Sequence, residues 1–203
     1  MIRGASVWLV AIALVGCGAA KAPKLQDGDI VFQTSRSSQS LAIQQATGSR
    51  YSHMGMVLYR GQEPYVFEAV ATVRYTSLGA WIARGSGGHF VAKRLRDASS
   101  ILTVPAREKL RQAALKLEGR PYDPAFGWSD EKIYCSELVW KAYDRALGIR
   151  LGELQELRQF NLSGPEVKKK LGERYGDSIP LREPVIAPGA MFSSPRLETV
   201  ASQ

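Results

Sequence analysis

The sequence predicts an α+β protein, in which short strands in the first half of the chain precede amphipathic helices in the second half. Runs rich in β-branched and aromatic residues recur between residues 30 and 95 and are separated by turn residues. Between residues 105 and 148, apolar residues recur at the three- and four-residue spacing of a helix face. Hydrophobic residues make up 45% of the 203 residues and charged residues 23%, which provides enough apolar material for one core.

The predicted strands begin after a turn at Asp27-Gly28-Asp29. Alternating or short apolar runs predict strands over residues 30–32, 53–59, 65–70, 73–76 and 90–95. A helix over residues 37–46, capped by serine and ended by Gly48, is predicted between the first two. Residues 84–88 are predicted to form a flexible, glycine-rich loop before the last strand.

Two helices with clear apolar faces follow. The first opens at Pro105 and ends at Gly119, and its apolar stripe is formed by Leu110, Ala113, Ala114 and Leu117. The second begins near Tyr134 and is closed by Gly148, and its buried face is formed by Leu138, Val139, Ala142, Tyr143 and Ala146. One more helix is predicted around residues 165–171, before a proline-containing tail.

The N-terminal segment MIRGASVWLVAIALVGC has the pattern of a bacterial export signal. Arg3 precedes an apolar run over residues 7–15 that is too short to span a bilayer. The sequence Leu14-Val15-Gly16-Cys17 resembles the lipobox of bacterial lipoproteins, which implies cleavage before Cys17 and lipidation of its thiol. A plain secretory signal that happens to contain a cysteine is the alternative.

The formal net charge of +8 favours anionic partners, such as phospholipid head groups or nucleic acid. The basic residues are spread along the chain, with a single run at residues 168–170, and no nucleic-acid-binding motif accompanies them. We therefore expect a solvated basic surface and no nucleic-acid partner. With two cysteines in the chain, one of them in the lipobox, neither a disulfide framework nor a zinc cluster is expected, and no metal or cofactor is predicted.

Cys135 is the candidate nucleophile. It lies in the first turn of the second predicted helix, where the positive end of the helix dipole stabilises a thiolate. A thiol nucleophile needs a base, which is usually histidine. A buried cysteine that serves only as a small apolar side chain is the alternative, and the cysteine taken alone favours it.

His53 and Glu68 are the candidate partners. His53 begins an alternating strand, whereas His89 follows the glycine-rich loop and is expected to be a surface or a hydrogen-bonded structural histidine. Glu68 is a carboxylate in an otherwise apolar strand, so a partner is expected if it is buried, although it could equally be a surface residue of an edge strand. A hairpin turn at Arg60-Gly61 would place the histidine directly opposite the glutamate on one face. A turn nearer Pro64 would put them several residues out of register, and the sequence leaves both registers open.

Three segments together carry a resemblance to a known family: residues 27–32, 52–55 and 134–139. They resemble the YiiX/YebB-like family, which belongs to the NlpC-type permuted papain-like cysteine hydrolases. Residues 119–123 and 126–130 extend the similarity, which covers about residues 25–148. The resemblance implies a circularly permuted papain-like fold, with an antiparallel sheet or barrel packed against helices and the nucleophile at a helix N-terminus. The histidine-first order of this chain fits such a permutation, because a triad is defined by geometry rather than by chain order.

The resemblance implies that Cys135 is the nucleophile, His53 the base and then the acid, and Glu68 the residue that orients His53. Tyr122 and Tyr134 are weaker candidates for lining the substrate cleft, because buried packing explains them equally well. The implied function is an amidase or peptidase acting on small peptides or cell-wall fragments. The alternatives are a lipid acyltransferase or esterase of the lecithin–retinol acyltransferase type and a non-catalytic binding lipoprotein, which the intact set of three residues argues against.

The predicted organisation has three parts. Residues 1–16 form a lipoprotein signal peptide, residues 17–24 the lipidated cysteine and a tether, and residues 25–203 the hydrolase domain. Gly18 follows Cys17 where some lipoproteins carry aspartate. By resemblance to enterobacterial sorting signals, this predicts a lipid anchor at the periplasmic face of the outer membrane, if the organism has one.

Overall fold

The computed structural model describes residues 25–203, so the expected signal peptide, Cys17 and the tether lie outside the described residues. Within this range, one antiparallel sheet has the strand order β4-β3-β2-β1-β5-β8. Its strands are β1 (Ile30–Gln33), β2 (His53–Arg60), β3 (Glu63–Ala69), β4 (Val73–Ser77), β5 (Val91–Leu95) and β8 (Leu197–Ser202). A separate pair is formed by β6 (Gln155–Glu156) and β7 (Pro184–Val185). All five predicted strands are present, with ends within two residues of those expected.

The described helices are α1 (Ser40–Thr47), α2 (Leu78–Arg84), α3 (Ala98–Ile101), α4 (Val104–Leu115), α5 (Cys135–Leu147), α6 (Pro165–Tyr175) and α7 (Pro188–Phe192). Gly48 and Gly148 end α1 and α5 in the left-handed conformation, as predicted. The predicted serine cap of α1 is wrong, because Gln39 precedes the helix and makes no side-chain cap. The first long helix, α4, ends four residues before the predicted stop at Gly119.

Several parts of the fold were not predicted from the sequence, including the short elements α3 and β6. Helix α2 and a 3₁₀ turn over Ser86–Gly88 occupy the segment that includes the expected loop. The C-terminal tail forms β7, α7 and β8, and β8 pairs with β5 at one side of the sheet. Among the helices of residues 25–203, none combines the length and apolar character needed to cross a membrane.

The two faces of the sheet bury different sets of side chains. Alternate residues of β2, such as Met54 and Met56, pack with Leu138 and Val139 on α5 in the larger core. The opposite face is covered by α2, whose Trp81 packs in a smaller core. That core also contains Val31, Val57, Val66, Phe90 and Ala92. Burying each such side chain stabilises the fold by roughly 1.5–3 kcal/mol, so α5 is held firmly against the sheet.

The predicted Asp27-Gly28-Asp29 turn is present and joins the sheet to the helices. The Asp29 carboxylate accepts two hydrogen bonds from Arg94 on β5, at 2.6 and 2.7 Å. The Tyr143 hydroxyl on α5 donates to the Gly28 carbonyl. Gly28 has φ 90°, a backbone conformation that glycine adopts without strain. A Cβ there would lie 3.2 Å from the Tyr143 hydroxyl, so glycine also allows this hydroxyl to approach the turn. The turn therefore fixes α5, and Cys135 at its start, relative to the sheet.

Candidate active site

The pairing of β2 with β3 sets the relation between His53 and Glu68. Arg60 pairs with Glu63, so the turn lies at Gly61-Gln62, one position later than the Arg60-Gly61 turn considered from the sequence. By continuation of this register, the glutamate lies opposite Gly55 and not directly opposite the histidine. The two side chains nevertheless share a face as diagonal neighbours, and Nε2 of His53 lies 2.6 Å from Oε2 of Glu68.

Gly55 leaves the space that this diagonal contact needs. A Cβ at this position would lie 2.5 Å from Cγ1 of Val66 and 3.2 Å from Cβ of Glu68, closer than packed side chains tolerate. The missing side chain lets the glutamate extend across β2 toward His53. Gly55 lies in the family-like segment 52–55, but its role could not be predicted from the sequence.

Glu68 is fully buried on β3, which lies between β2 and β4, so the alternative of an edge-strand surface residue is wrong. Its second oxygen, Oε1, accepts a hydrogen bond from Nη2 of Arg84 at the end of α2. Burial opposes ionisation of this carboxyl, but hydrogen bonds and charge from His53, with Thr76 and Arg84, lower its pKa. Arg84 was missed from the sequence because α2 was not predicted.

Cys135 is the first residue of α5 and is 3% exposed, while His53 is 9% exposed. Because Glu68 contacts Nε2 of the imidazole, Nδ1 is the nitrogen left for the thiol. Burial lowers the pKa of His53, but hydrogen bonds and charge from the side chains of Cys135 and Glu68 outweigh burial and raise the pKa to about 9. The imidazole is therefore favoured in its protonated form at neutral pH, next to the sulfur.

The start of α5 is held by buried polar contacts. The Glu137 carboxylate accepts a hydrogen bond from the backbone N–H of Tyr134 and lies 2.6 Å from Nζ of Lys141. The Ser136 hydroxyl donates to the carbonyl of Ile186, whose own N–H donates to the Tyr134 hydroxyl. These contacts fix the first helical turn, where the backbone N–H groups have no partner in the helix itself.

Two cavities of different character flank these side chains. Cys135 and Tyr134 line an apolar pocket of about 80 Å³, with Phe126, Leu157, Phe160, Val167, Leu171 and Ile186 among its other walls. His53 and Tyr122 line a polar groove of about 630 Å³. The Tyr122 hydroxyl accepts a hydrogen bond from Gln39. The two predicted cleft tyrosines therefore line different cavities, one on the sulfur side and one on the imidazole side.

The remaining candidate residues lie away from this site. His89 is exposed, as expected, and its Nδ1 lies 3.1 Å from the carbonyl oxygen of Gln203. Cys17 falls outside the described residues. Within residues 25–203, no group of three or more His, Cys, Asp or Glu side chains is placed to hold a metal ion.

The chain is similar to proteins of Escherichia coli over most of its length. A family model described as a permuted papain-like amidase enzyme, YaeF/YiiX, C92 family, matches residues 24–201. The protein YiiX of strain K12 is 53% identical over 178 residues, which cover 88% of this chain and 87% of YiiX. A crystal structure described as the metalloprotein YiiX from E. coli O157:H7 matches with a TM-score of 0.84 and 54% identity, covering 88% of this chain and 97% of that one.

Proposed function

This chain belongs to the permuted papain-like amidase family YaeF/YiiX, C92, and from that premise we propose that it hydrolyses amide bonds through Cys135, His53 and Glu68. The family and the permuted papain-like fold agree with the expectation from the sequence, and membership makes the chain a cysteine hydrolase. The assignment of the three residues is supported by one observation above all. A fully buried carboxylate contacts the imidazole that partners a thiol at a helix N-terminus.

The proposed reaction has two steps. The Cys135 thiolate attacks the amide carbonyl, and the backbone N–H of Cys135 stabilises the negative oxygen. The C–N bond breaks as His53 gives its proton to the leaving amine, and a thioester remains on the sulfur. Water then attacks the thioester and gives a proton to His53, which releases the carboxylic acid and restores the ion pair. Glu68 stays ionised and stabilises the imidazolium.

The two cavities suggest how a substrate is divided across the site. The acyl part stays bonded to Cys135 and lies beside the apolar pocket, while the amine part lies on the side of His53. The pocket of about 80 Å³ is smaller than the cavity of roughly 150 Å³ that holds benzene, so it suits a small apolar side chain. We therefore favour small peptides or cell-wall fragments with such a side chain on the acyl part.

Lipid acyl transfer or ester hydrolysis of the lecithin–retinol acyltransferase type is the second candidate. The apolar lining next to Cys135 favours it, and Lys170 and Arg174 also line this pocket, where they could meet an anionic head group. A long acyl chain would need the pocket to open beyond its present volume. A non-catalytic binding lipoprotein is disfavoured because the thiol, imidazole and carboxylate are all in place.

The related structure from E. coli O157:H7 is described as a metalloprotein. Within residues 25–203 the side chains of Cys135, His53 and Glu68 are not arranged to hold a metal ion. The proposed reaction uses the chain's own groups for every step. The proposed location is the cell envelope, with a lipid anchor at Cys17 at the periplasmic face of the outer membrane if the organism has one. This location is supported by the lipobox-like segment of the sequence.

The test uses the full-length protein in detergent with N-acetyl-leucyl-alanine and a phospholipid as competing substrates. We expect release of alanine and an acetyl-leucyl adduct on Cys135 detected by mass spectrometry. Cys135→Ser should keep the fold, measured by circular dichroism, and lose turnover. Cleavage of the phospholipid alone would favour the second candidate, and a Cys135→Ser protein as active as the wild type would contradict both.

A further inference from the structure

Two residues that line the polar groove beside His53 each have a buried polar atom without a hydrogen-bond partner in the described part of the chain. The two atoms are Oε1 of Gln33, an acceptor, and Nε of Arg84, a donor. Gln33 is 2% exposed and pairs with His53 across β1 and β2, so its amide lies next to the imidazole. A buried polar group without a partner destabilises the fold, and a polar ligand in the groove is one way to satisfy these two.

The groove also contains a positively charged side chain that has no ion-pair partner among the described residues. Arg36, in the segment between β1 and α1, lines the groove and is exposed, and it forms no ion pair within residues 25–203. The other charged groups at the groove are His53 and Arg84, and both contact Glu68. No carboxylate lines the groove among the described residues, because Glu68 is buried behind these two partners. An anionic ligand would therefore meet an unopposed guanidinium.

We propose that this groove binds the leaving amine of the substrate and selects an amine that carries a carboxylate, namely an amino acid or a peptide with a free C-terminus. This inference rests on the proposed amide hydrolysis. A peptide-like amine offers N–H groups to Gln33 and oxygens to Arg84, which matches the unpaired acceptor and the unpaired donor. The carboxylate of this amine reaches Arg36. This contact favours an amine that carries a carboxylate over a neutral amine.

The direction of the reaction agrees with this placement. His53 gives its proton to the leaving nitrogen, so the amine product forms on the side of the imidazole. Cys135 keeps the acyl part beside the apolar pocket until water releases it. The acyl side chain therefore lies beside the apolar pocket, and the amine product with its carboxylate lies in the groove that carries positive charge.

The kinetic test compares N-acetyl-leucyl-alanine with N-acetyl-leucyl-alanine amide, which differ in the carboxylate. We expect the wild type to prefer the carboxylate by about tenfold in kcat/KM, and the preference to shrink with added salt. Arg36→Gln should bring the ratio of the two substrates close to one. Arg182→Gln removes an exposed arginine that does not line the groove and should keep the wild-type ratio. Equal kcat/KM values in the wild type would overturn the inference.

A binding test separates this inference from the proposed function. The full-length Cys135→Ser protein is titrated with alanyl-alanine and with alanyl-alanine amide, and binding is followed by NMR shifts of groove residues. We expect tighter binding of the free dipeptide, lost in the Arg36→Gln, Cys135→Ser double variant. Equal or absent binding of both would overturn the inference. If neither substrate is cleaved, the proposed function fails, and the dipeptide titration still decides whether the groove is an anion-selective site.

Discussion

His53 and Glu68 meet diagonally across Gly55, and Nε2 of the imidazole lies 2.6 Å from Oε2 of the carboxylate. The contact depends on the register of one hairpin and on the absence of one side chain. Arg84 holds the other carboxylate oxygen, so the orientation of Glu68 is fixed from two sides. This arrangement makes the geometry of the candidate site sensitive to changes that remove no functional group.

Gly55→Ala should damage the site without touching its polar groups. The added Cβ would lie 2.5 Å from Cγ1 of Val66 and 2.9 Å from the carbonyl oxygen of Phe67, so β2 and β3 must separate. We expect a loss of about 1–3 kcal/mol in the free energy of unfolding, measured in urea, together with a fall in turnover. The fall in kcat/KM should be larger than that of other variants with the same loss of stability.

Gly79→Ala is the matched control for this substitution. Gly79 lies in α2, and a Cβ there would have nothing within 4 Å. Alanine should stabilise the helix by up to about 1 kcal/mol and leave turnover near the wild-type value. If Gly55→Ala behaved like Gly79→Ala in both measurements, the diagonal contact would not be the reason for a glycine at this position.

Glu68→Gln should reduce turnover more than stability. The amide keeps the volume and a hydrogen-bond acceptor, but the imidazolium of His53 loses its negative partner. We expect kcat to fall by roughly 10²- to 10⁴-fold, and the pKa of His53 to move down from about 9 when followed by NMR. Glu63→Gln removes an exposed carboxylate from the same strand and should change neither quantity. Unchanged kcat in the Glu68 variant would mean that another group orients the histidine.

The elements around the site could be predicted because their signals are local. The strands alternate with period two, and α5 carries an apolar stripe that ends at Gly148. The register could not be predicted, because moving the hairpin by one turn position shifts the cross-strand partner by two residues and leaves the same face buried. The alternation of β2 and β3 is therefore equally compatible with a direct and a diagonal contact between His53 and Glu68.

The rest of the site depends on contacts between distant parts of the chain. Arg84 ends a helix of seven residues, too short to give a clear periodic signal, and it is placed by the packing of Trp81 against the sheet. The strand β8 becomes recognisable only through its pairing with β5. The apolar pocket is lined by residues that are far apart in the chain, from α1 to α7. Its position next to Cys135 is therefore a property of the tertiary fold.

Cys17→Ala should abolish lipid attachment. The lipobox-like segment predicts that the thiol of Cys17 is acylated after cleavage of the preceding residues, and alanine offers no thiol. We expect no incorporation of radiolabelled fatty acid, and an unprocessed or soluble protein in cell fractionation. Cys135→Ala, which keeps the lipobox, should be labelled like the wild type. Fatty acid still found on the Cys17→Ala protein would contradict the prediction of a lipid anchor.

The pH dependence of the thiol tests whether Cys135 and His53 form an ion pair. The pKa of His53 is raised to about 9, so the imidazolium is present at lower pH and is lost as the pH rises through that value. We therefore expect kcat/KM to fall on the alkaline side with an apparent pKa near 9, because the proton for the leaving amine is gone.

Alkylation by iodoacetamide requires a thiolate, which an ordinary cysteine forms only near pH 8.5 or above. In the native wild type, alkylation of Cys135 should already be fast at neutral pH, and His53→Ala should slow it by about tenfold or more. A slow profile that rises only above about pH 8.5 and is the same in both proteins would show that no ion pair forms, and the hydrolase mechanism would then lack an activated nucleophile.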